Sequence, residues 1–339
     1  MISFGKHENN FTFGLSIILK ILHYLHFKIA DMKILMKINK PIFYSRTFSI
    51  LLKFLIFILL SNYVNAQKSG RCRIKNIVAV TSEGEFSSPL WSPDGSKILF
   101  TTSNFKGLYL ISLNSNKVTI INTIDGAGYN AAWSNDSKFI FYRIRIVKSD
   151  NSSYFKVQSV NIETNKIVDC PDINPDGIAS NISAKKNSDP IVFTNSKTLL
   201  IESQTKDKSR RWIVTNDPGQ YYQPILSPNM QKVLVHRGAD MLIYAIDGSG
   251  LISTLGKGLA CGWSNDSKQI LYFLDESNDG QVTSGSEIYI TSSDGSQNYQ
   301  LTNTINSFEM FPCFSPDNKK LAYSDAKTGK IFIADLYFK

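Results

Sequence analysis

The sequence has few of the residues that build metal sites and nucleophilic catalytic sites. It contains four cysteines and four histidines in 339 residues, and His236 is the only histidine beyond the first 66 residues. That part of the chain has no C-x-x-C pair and no paired histidines, so its spacings match no common zinc template. A G-x-S-x-G pentapeptide, the nucleophile elbow of many serine hydrolases, is also absent. We therefore expect no metal, no cofactor and no catalytic constellation, and predict that the chain is not an enzyme.

Excess positive charge is scarce outside the N-terminal segment. Residues 1–66 carry eight Lys/Arg and two Asp/Glu, a net of +6, whereas the remaining 273 residues carry 29 and 26, a net of +3. Nucleic-acid-binding proteins concentrate basic charge on their folded part. The densest basic run of the body, 206–211, is interrupted by Asp207 and is typical of a solvated hairpin tip. We predict no nucleic-acid partner.

The segment 1–66 has the layout of a secretory signal peptide. Three basic residues precede an apolar run of about a dozen residues, and S-N-Y-V-N-A then ends at Ala66 with small residues at the cleavage positions. The run is short for a spanning helix, which needs about 20 residues. We predict cleavage after Ala66 and export to the periplasm or the medium, without stable membrane insertion; an uncleaved membrane anchor is the alternative. Met32 and Met36 offer later starts, in which case residues 1–31 are not expressed.

The cysteine pairing is left open by the sequence. Four cysteines remain after the predicted cleavage, namely Cys72, Cys170, Cys261 and Cys313. Export permits disulfides, and an even number is compatible with two. Buried free thiols that behave as small apolar side chains are the alternative.

One decapeptide pattern recurs through the body and predicts the fold. Trp91 opens W-S-P-D-G-S-K-I-L-F, and related segments open at Trp133, Leu226, Trp263 and Phe314. Each one joins the end of a strand, a polar turn and an apolar strand, which is a hairpin signal. The first unit indicates four strands, at 86–91, 98–102, 108–113 and 118–121. Four strands in about 42 residues are typical of a propeller blade.

Six units account for the body. The markers fall at 91, 133, about 182, 226, 263 and 314, and the third unit is degenerate, with N-I-S at 181–183 in place of W-S. The sixth unit has three strands, and an orphan strand at 74–80 precedes the first unit. Pairing the orphan strand with the last strand of the sixth unit, at 330–334, would supply the backbone hydrogen bonds that an open sheet edge leaves unmade. We predict an all-β, six-bladed β-propeller of four-stranded blades, closed by an N-terminal strand that completes the last blade, as a single domain over 67–339.

The recurrent aspartates are predicted to be turn residues. In the P-D-G-S and N-D-S turns, an Asp side chain can bond the backbone of its own turn. These residues lie on separate hairpins and should not converge on a metal or a substrate. They are Asp94, Asp136, Asp266 and Asp317. The aromatic markers are expected to fill the wedge between blades, each contributing about 2 kcal/mol of burial.

Two segments carry a family resemblance. The decapeptide at Trp91, followed by L-Y-L-I-S-L, and E-I-Y-I-T-S-S-D-G-S-Q-N-Y-Q-L-T-N-T at 287–304 resemble the WD-like repeats of the TolB propeller, which also precede dipeptidyl-peptidase domains. The resemblance covers about 74–336 and five of the six units. It implies a protein or peptide partner at the axial mouth of the ring. Neither the N-terminal domain of TolB nor the hydrolase domain of the peptidases has a counterpart in this sequence, and we expect a monomer.

Residues just before each marker are predicted to line the mouth, because the chain enters the innermost strands there. They are Phe86, Ser87, Tyr129, Asn130, Tyr221, Tyr222, Gln223, Glu309 and Phe311. Aromatic side chains with few charges suit a protein-binding surface, and plain packing between blades is the alternative for each. The predicted function is non-catalytic binding of a protein or peptide outside the cell or in its envelope. The alternatives are a lyase or glycosidase acting on envelope polysaccharide in the mouth, and an assembly scaffold that uses the side of the ring.

Overall fold

The computed structural model describes residues 72–82, 84–277 and 283–338. Within these ranges, 23 strands form six sheets, and one short helix is present. None of the helical structure in this part of the chain is long and apolar enough to cross a membrane. The predicted leader 1–66, with its start and cleavage positions, lies outside the described residues.

The blades follow one another along the chain. Blade 1 comprises β2 (Phe86–Trp91), β3 (Lys97–Thr102), β4 (Leu108–Ser112) and β5 (Lys117–Asn122). Blade 2 comprises β6 (Ala132–Trp133), β7 (Phe139–Val147), β8 (Ser153–Asn161) and β9 (Ile167–Asp169). Blade 3 comprises α1 (Ile178–Ser183), β10 (Pro190–Thr194), β11 (Ile201–Thr205) and β12 (Arg211–Ile213). Blade 4 comprises β13 (Tyr222–Leu226), β14 (Lys232–Arg237), β15 (Asp240–Ala245) and β16 (Leu251–Lys257). Blade 5 comprises β17 (Leu259–Trp263), β18 (Gln269–Ser277), β19 (Thr283–Ser292) and β20 (Asn298–Gln300). Blade 6 comprises β21 (Glu309–Phe314), β22 (Lys320–Asp325), β23 (Lys330–Phe338) and β1 (Cys72–Ala79).

Apolar packing closes the blades into a ring. Each of six clusters of buried side chains draws on two consecutive blades. One of them joins Trp91 and Ile98 of blade 1 to Ala322 and Ile331 of blade 6. A sheet that is apolar on both faces must be covered on both, and neighbours around an axis provide that cover. The predicted six-bladed, all-β propeller is confirmed.

Blade 6 takes strands from both ends of the described chain. Strand β1 is the outer strand of this sheet and pairs antiparallel with β23, where Arg73 lies opposite Tyr337 and Val78 opposite Ile333. The register shifts between Lys75 and Val78. The pairing gives the backbone of β23 a partner on its outer side.

Five blades share one turn between their first two strands. In blade 1, Ser92 Oγ donates to Asp94 Oδ1 at 2.6 Å and accepts the backbone N–H of Lys97 at 2.9 Å. The residue that directly follows the Asp or Asn of the turn is left-handed in all five blades, with φ between 57° and 71°; these residues are Gly95, Ser137, Met230, Ser267 and Asn318. The Ser134 hydroxyl likewise holds the pKa of Asp136 below its ordinary value. These aspartates are therefore turn residues, as predicted.

The same turns also join neighbouring blades. The backbone N–H of Asp94 donates to Ser137 Oγ in blade 2 at 3.0 Å, and that of Asn229 donates to Ser267 Oγ in blade 5 at 3.1 Å. A serine at the left-handed position thus accepts a hydrogen bond from the turn of the preceding blade.

Blade 3 departs from the predicted four strands. Its sheet has three strands, and α1 occupies the place of the first. The N-I-S segment has a single β-branched residue between two polar ones and no aromatic residue, which favours a strand only weakly. The Ser180 hydroxyl replaces the missing ladder, because it accepts the N–H of Val192 at 3.1 Å and lies 3.3 Å from the carbonyl oxygen of the same residue. The first of the four strands predicted for this blade is therefore absent from its sheet.

We expect Ser180→Ala to lower the free energy of unfolding by about 1–2 kcal/mol, because it leaves buried backbone groups of Val192 without their partner. Ser183→Ala is the matched control on the same helix. Its hydroxyl is exposed and donates to Ala179 O within α1, so the expected change is below about 0.5 kcal/mol. Urea denaturation measures both variants, and equal effects would contradict the role given to Ser180.

Candidate functional site

The innermost strands begin together at one end of the ring. Strand β21 contacts both β2 and β17, the first strands of the two neighbouring blades. We call the end where these strands begin the mouth face; the second strands end there. We call the opposite end, which carries the shared serine–aspartate turns, the turn face. Five blades share the same turn conformation on the turn face, whereas the side chains on the mouth face differ from blade to blade.

A backbone bulge marks the mouth face of four blades. The residue three positions before the marker is left-handed in each, with φ between 51° and 58°; these residues are Ser88, Asn130, Gln223 and Phe311. In β2, β13 and β21 the hydrogen-bond register shifts at this point. Bulges re-aim side chains, and non-glycine residues in this conformation are costly. Three of the predicted mouth residues therefore lie on a shared, strained backbone feature.

The bulge can be tested at Gln223. Glycine adopts φ of 51° at no steric cost, whereas a β-branched residue does not. We expect Gln223→Gly to change the free energy of unfolding by less than about 1 kcal/mol and Gln223→Val to lower it by about 1–2 kcal/mol. Thermal or urea denaturation measures the difference, and a valine variant as stable as the glycine variant would contradict the left-handed assignment.

Several predicted mouth residues are packed between blades. Ser87, Tyr221 and Glu309 are buried. Half-buried Phe86 contacts the rings of Phe100 and Tyr109 at centroid distances of 4.8 and 5.5 Å. The others reach the surface to different extents: Asn130 and Tyr222 are exposed, and Tyr129, Gln223 and Phe311 are half-buried. The accessible part of the predicted set thus lies in blades 1, 2, 4 and 6, and its fully exposed members are Asn130 and Tyr222.

Tyr221 belongs to a polar network between blades 3 and 4. Its hydroxyl donates to Asp217 at 2.7 Å, and the Tyr244 hydroxyl donates to the other oxygen of that carboxylate at 2.6 Å. Arg237 Nη1 also donates to Asp217, at 2.8 Å. The aspartate thereby receives three donors, which indicates a structural role.

Tyr222 covers a buried histidine. Its ring stacks on His236 at a centroid distance of 5.3 Å, and its hydroxyl donates to Gly238 O at 2.6 Å. His236 Nε2 accepts the N–H of Ala260 in blade 5 at 3.0 Å, and Nδ1 is buried without a hydrogen-bond partner among the described residues. Burial lowers the pKa of His236 to about 4. The imidazole is therefore neutral and fastens blade 4 to blade 5.

Arg143 is the main mouth residue that the sequence did not indicate. Its guanidinium carbon lies 4.0 Å from the ring centroid of Tyr129 and 4.2 Å from that of Phe155. Nη1 lies 3.3 Å from Asp176, while Nε is buried with no hydrogen-bond partner in the described chain. Burial lowers the pKa of Arg143, but an arginine stays charged at neutral pH. The rings of Tyr129 and Phe155 therefore hold the guanidinium of Arg143 in place, and its Nε–H has no acceptor among the described residues.

Two carboxylates, Glu287 and Glu309, lie across the ring from Arg143. Thr304 donates a hydrogen bond to each of them: its hydroxyl donates to Glu309 and its N–H donates to Glu287, each at 2.8 Å. The second oxygen of each carboxylate is buried and has no hydrogen-bond partner among the described residues. Burial raises the pKa of Glu309, and the charge of Glu287 raises it further. Asp325 differs, because it accepts the N–H groups of Phe308 and Lys327. Glu287 and Glu309 therefore each keep one carboxylate oxygen without a donor among the described residues.

The mouth face offers little enclosed space near blade 1. A cavity of about 30 Å³ lies against Ser88, Thr101 and Gly128, about the size of one water molecule. Across residues 72–82, 84–277 and 283–338, no group of three or more His, Cys, Asp or Glu side chains is placed to hold a metal ion.

A sequence signal for Arg143 does exist. The run R-I-R-I-V at 143–147 alternates charged and apolar residues, and it extends the second strand of blade 2 beyond the five or six residues of the second strands in blades 1, 3, 4 and 6. Glu287 carries no such signal, because its approach to Glu309 depends on how blade 5 packs against blade 6.

Comparisons with known proteins agree on the fold. No family model matches the sequence, and no curated protein matches it. A chain of the mitotic checkpoint complex has a TM-score of 0.50 at 11% identity, covering 80% of this chain and 94% of that one. A candidate TolB from Agrobacterium tumefaciens has a TM-score of 0.45 at 15% identity, covering 80% and 99%. An oligogalacturonate lyase from Vibrio parahaemolyticus has a TM-score of 0.46 at 11% identity, covering 76% and 79%. At these identities the chain is similar to them as a β-propeller, and its partner must be inferred from its own residues.

Proposed function

We propose that this chain is an exported, non-catalytic β-propeller that binds a protein or peptide partner through its mouth face. One observation carries the proposal: five blades share one serine-based turn on the turn face, whereas the mouth face presents different side chains from each blade. Exposed Tyr222, the clamped Arg143 and strained Phe311 lie on that face. Strain and unsatisfied polar groups concentrate where a protein makes functional contacts. Export rests on the signal-peptide layout of residues 1–66.

A polysaccharide-acting enzyme is the alternative that the paired carboxylates favour. Glycosidases use two carboxyl groups that flank the scissile bond. Glu309, however, is 3% exposed, which leaves a sugar little access to it. Turnover of an envelope polysaccharide by the purified chain, abolished by Glu287→Gln, would replace the binding proposal.

Capture from cell-envelope extracts tests the proposal. The mouth variant carries Tyr222→Ala and Phe155→Ala, both about 41% exposed. The matched control carries Ile120→Ala and Ile167→Ala on outer strands, at 62% and 52% exposure. We expect the mouth variant to lose a discrete partner that the control retains, because central aromatic contacts dominate interface energetics. The reverse result would favour the scaffold alternative, in which the side of the ring makes the contact.

A further inference from the structure

Two hairpins rise above the mouth face on opposite sides of the ring. Strands β7 and β8 of blade 2 have nine residues each, and β18 and β19 of blade 5 have nine and ten. The corresponding β3 and β4 of blade 1 have six and five. The second strands run towards the mouth face, so the extra length projects there. Blades 2 and 5 are three positions apart in either direction around a ring of six, which places the two hairpins across the mouth from each other.

The two hairpins carry opposite charge. Residues 139–161, which comprise β7, β8 and their turn, contain four Lys or Arg and one Asp, whereas residues 269–292, which comprise β18, β19 and their turn, contain four Asp or Glu and no Lys, Arg or His. Arg145 and Lys148 are exposed in blade 2, and Asp275 and Glu276 are exposed in blade 5. Exposed charges of one sign on each side of an opening set up a field across it.

Charges elsewhere on the mouth face do not cancel this polarity. Arg237 of blade 4 is paired with Asp217 at 2.8 Å, and Lys106 of blade 1 lies 3.7 Å from Asp125. Lys327 of blade 6 lies 5.7 Å from the ring centroid of Phe308. Paired charges contribute little net field, and this also applies to Arg143, which lies 3.3 Å from Asp176. The polarity therefore comes from the exposed charges Arg145 and Lys148 of blade 2 and Asp275 and Glu276 of blade 5.

Each side also holds unsatisfied polar groups of the matching kind. The clamped Arg143 has a buried Nε without an acceptor, and the half-buried Glu287 has an oxygen without a donor among the described residues. An arginine held between two rings loses little freedom when a carboxylate binds it. A carboxylate that lacks donors favours an ammonium or guanidinium group.

We infer that the mouth face binds a polypeptide segment of divided charge, with acidic residues over Arg143 and Arg145 in blade 2 and basic residues over Asp275 and Glu276 in blade 5. This inference rests on the proposed function and names the chemistry of its partner. Nucleic acid, anionic lipid and polyuronate carry one sign of charge, and the acidic hairpin of blade 5 repels all of them. A uniformly basic segment is repelled by blade 2 in the same way. Only a chain with both signs, separated along its length, meets both hairpins favourably.

Synthetic peptides test the inference on the full chain. The probe is a peptide of about 12 residues, about 40 Å when extended, with aspartates at one end and lysines at the other. Its controls are an isomer with alternating Asp and Lys, an all-Asp peptide and an all-Lys peptide. We expect the divided peptide to bind about ten-fold more tightly than its isomer at low ionic strength, with the difference lost at high salt. A uniformly charged peptide that binds best would overturn the inference.

Charge reversal gives the sharper result. Arg145→Glu alone and Glu276→Lys alone should each weaken binding of the divided peptide about five- to ten-fold. The double variant keeps Lys148 in blade 2 and Asp275 in blade 5, so it weakens the polarity from both sides and should bind the divided peptide more weakly than either single variant. Lys117→Glu, exposed on the turn face, should leave binding unchanged. A double variant that binds the divided peptide as tightly as the unaltered chain would overturn the inference.

The two proposals fail differently. If capture of the envelope partner depends on Tyr222 and Phe155 while all four peptides bind equally, the charge polarity is wrong and the mouth-face function stands. If the divided peptide binds as expected but capture survives the mouth variant, the polarity is right, and the partner of the proposed function lies elsewhere on the ring.

Discussion

Replacing Trp133 by alanine is expected to lower the free energy of unfolding by about 3–5 kcal/mol. This indole is 6% exposed and packs in the cluster between blades 1 and 2, beside Leu99 and Ile140. Removing it leaves a large cavity at an interface that closes the ring, and flanking sheets cannot collapse into it without breaking their own ladders. Urea denaturation measures the loss. Ile305→Ala, at a side chain that is 93% exposed, is the surface control and should change stability by less than about 0.5 kcal/mol.

The indole hydrogen bond can be separated from the packing. Trp263 Nε1 donates to Ile225 O of the preceding blade at 3.0 Å, whereas Trp91 Nε1 is buried with no acceptor in the described part of the chain. Both side chains are 7% exposed, so phenylalanine removes similar packing from each. We expect Trp263→Phe to lower the free energy of unfolding by about 1 kcal/mol more than Trp91→Phe, because only the first variant leaves a buried carbonyl oxygen without its donor. Equal costs would show that the markers act through packing alone.

His236 is expected to make the fold sensitive to acid. Its pKa is lowered to about 4 by burial, against an ordinary value of 6.5. Between these values the unfolded chain binds a proton that the folded chain does not, so stability falls as the pH drops from about 6.5 to about 4. The full shift corresponds to about 3 kcal/mol. Above pH 6.5 both states hold a neutral imidazole, and the contribution is complete.

The variant His236→Gln isolates this effect. A glutamine side chain can still accept the N–H of Ala260 and does not titrate. The free energy of unfolding of the native chain, followed from pH 7 to pH 4, should fall by about 3 kcal/mol more than that of the variant. Glu309 works in the opposite direction, because burial raises its pKa, and it is common to both proteins. Parallel pH profiles would show that His236 is not buried as a neutral group.

The repeat is visible in the sequence because each of its parts has a local cause. The turn needs a serine, an Asp or Asn and a residue that tolerates positive φ, and five markers supply all three. The Trp at 91, 133 and 263 fills a wedge that recurs at every blade interface. The third blade lacks these residues, and its replacement by α1 depends on Ser180 meeting the backbone of Val192 twelve residues later. No local pattern reports that contact.

The mouth face was located by sequence but its chemistry was not. Counting back from the markers found the left-handed positions Asn130, Gln223 and Phe311, because the bulge has a fixed offset from the turn. It did not separate exposed Tyr222 from buried Tyr221, since burial there is set by packing against blade 3. Arg143 and Glu287 were missed because each gains its role from a neighbouring element, the first from Phe155 across the hairpin and the second from Thr304 beyond the next strand.

The most direct test of the central claim is hydrogen exchange on the chain with and without the partner captured from envelope extracts. If the partner binds at the mouth face, amides at the tip of the blade 2 hairpin, 147–153, and at the starts of β13 and β21 should slow by about ten-fold or more. Amides of the shared turns, such as 92–97, should exchange at unchanged rates. Protection confined to the turn face or to the outer strands would contradict the account.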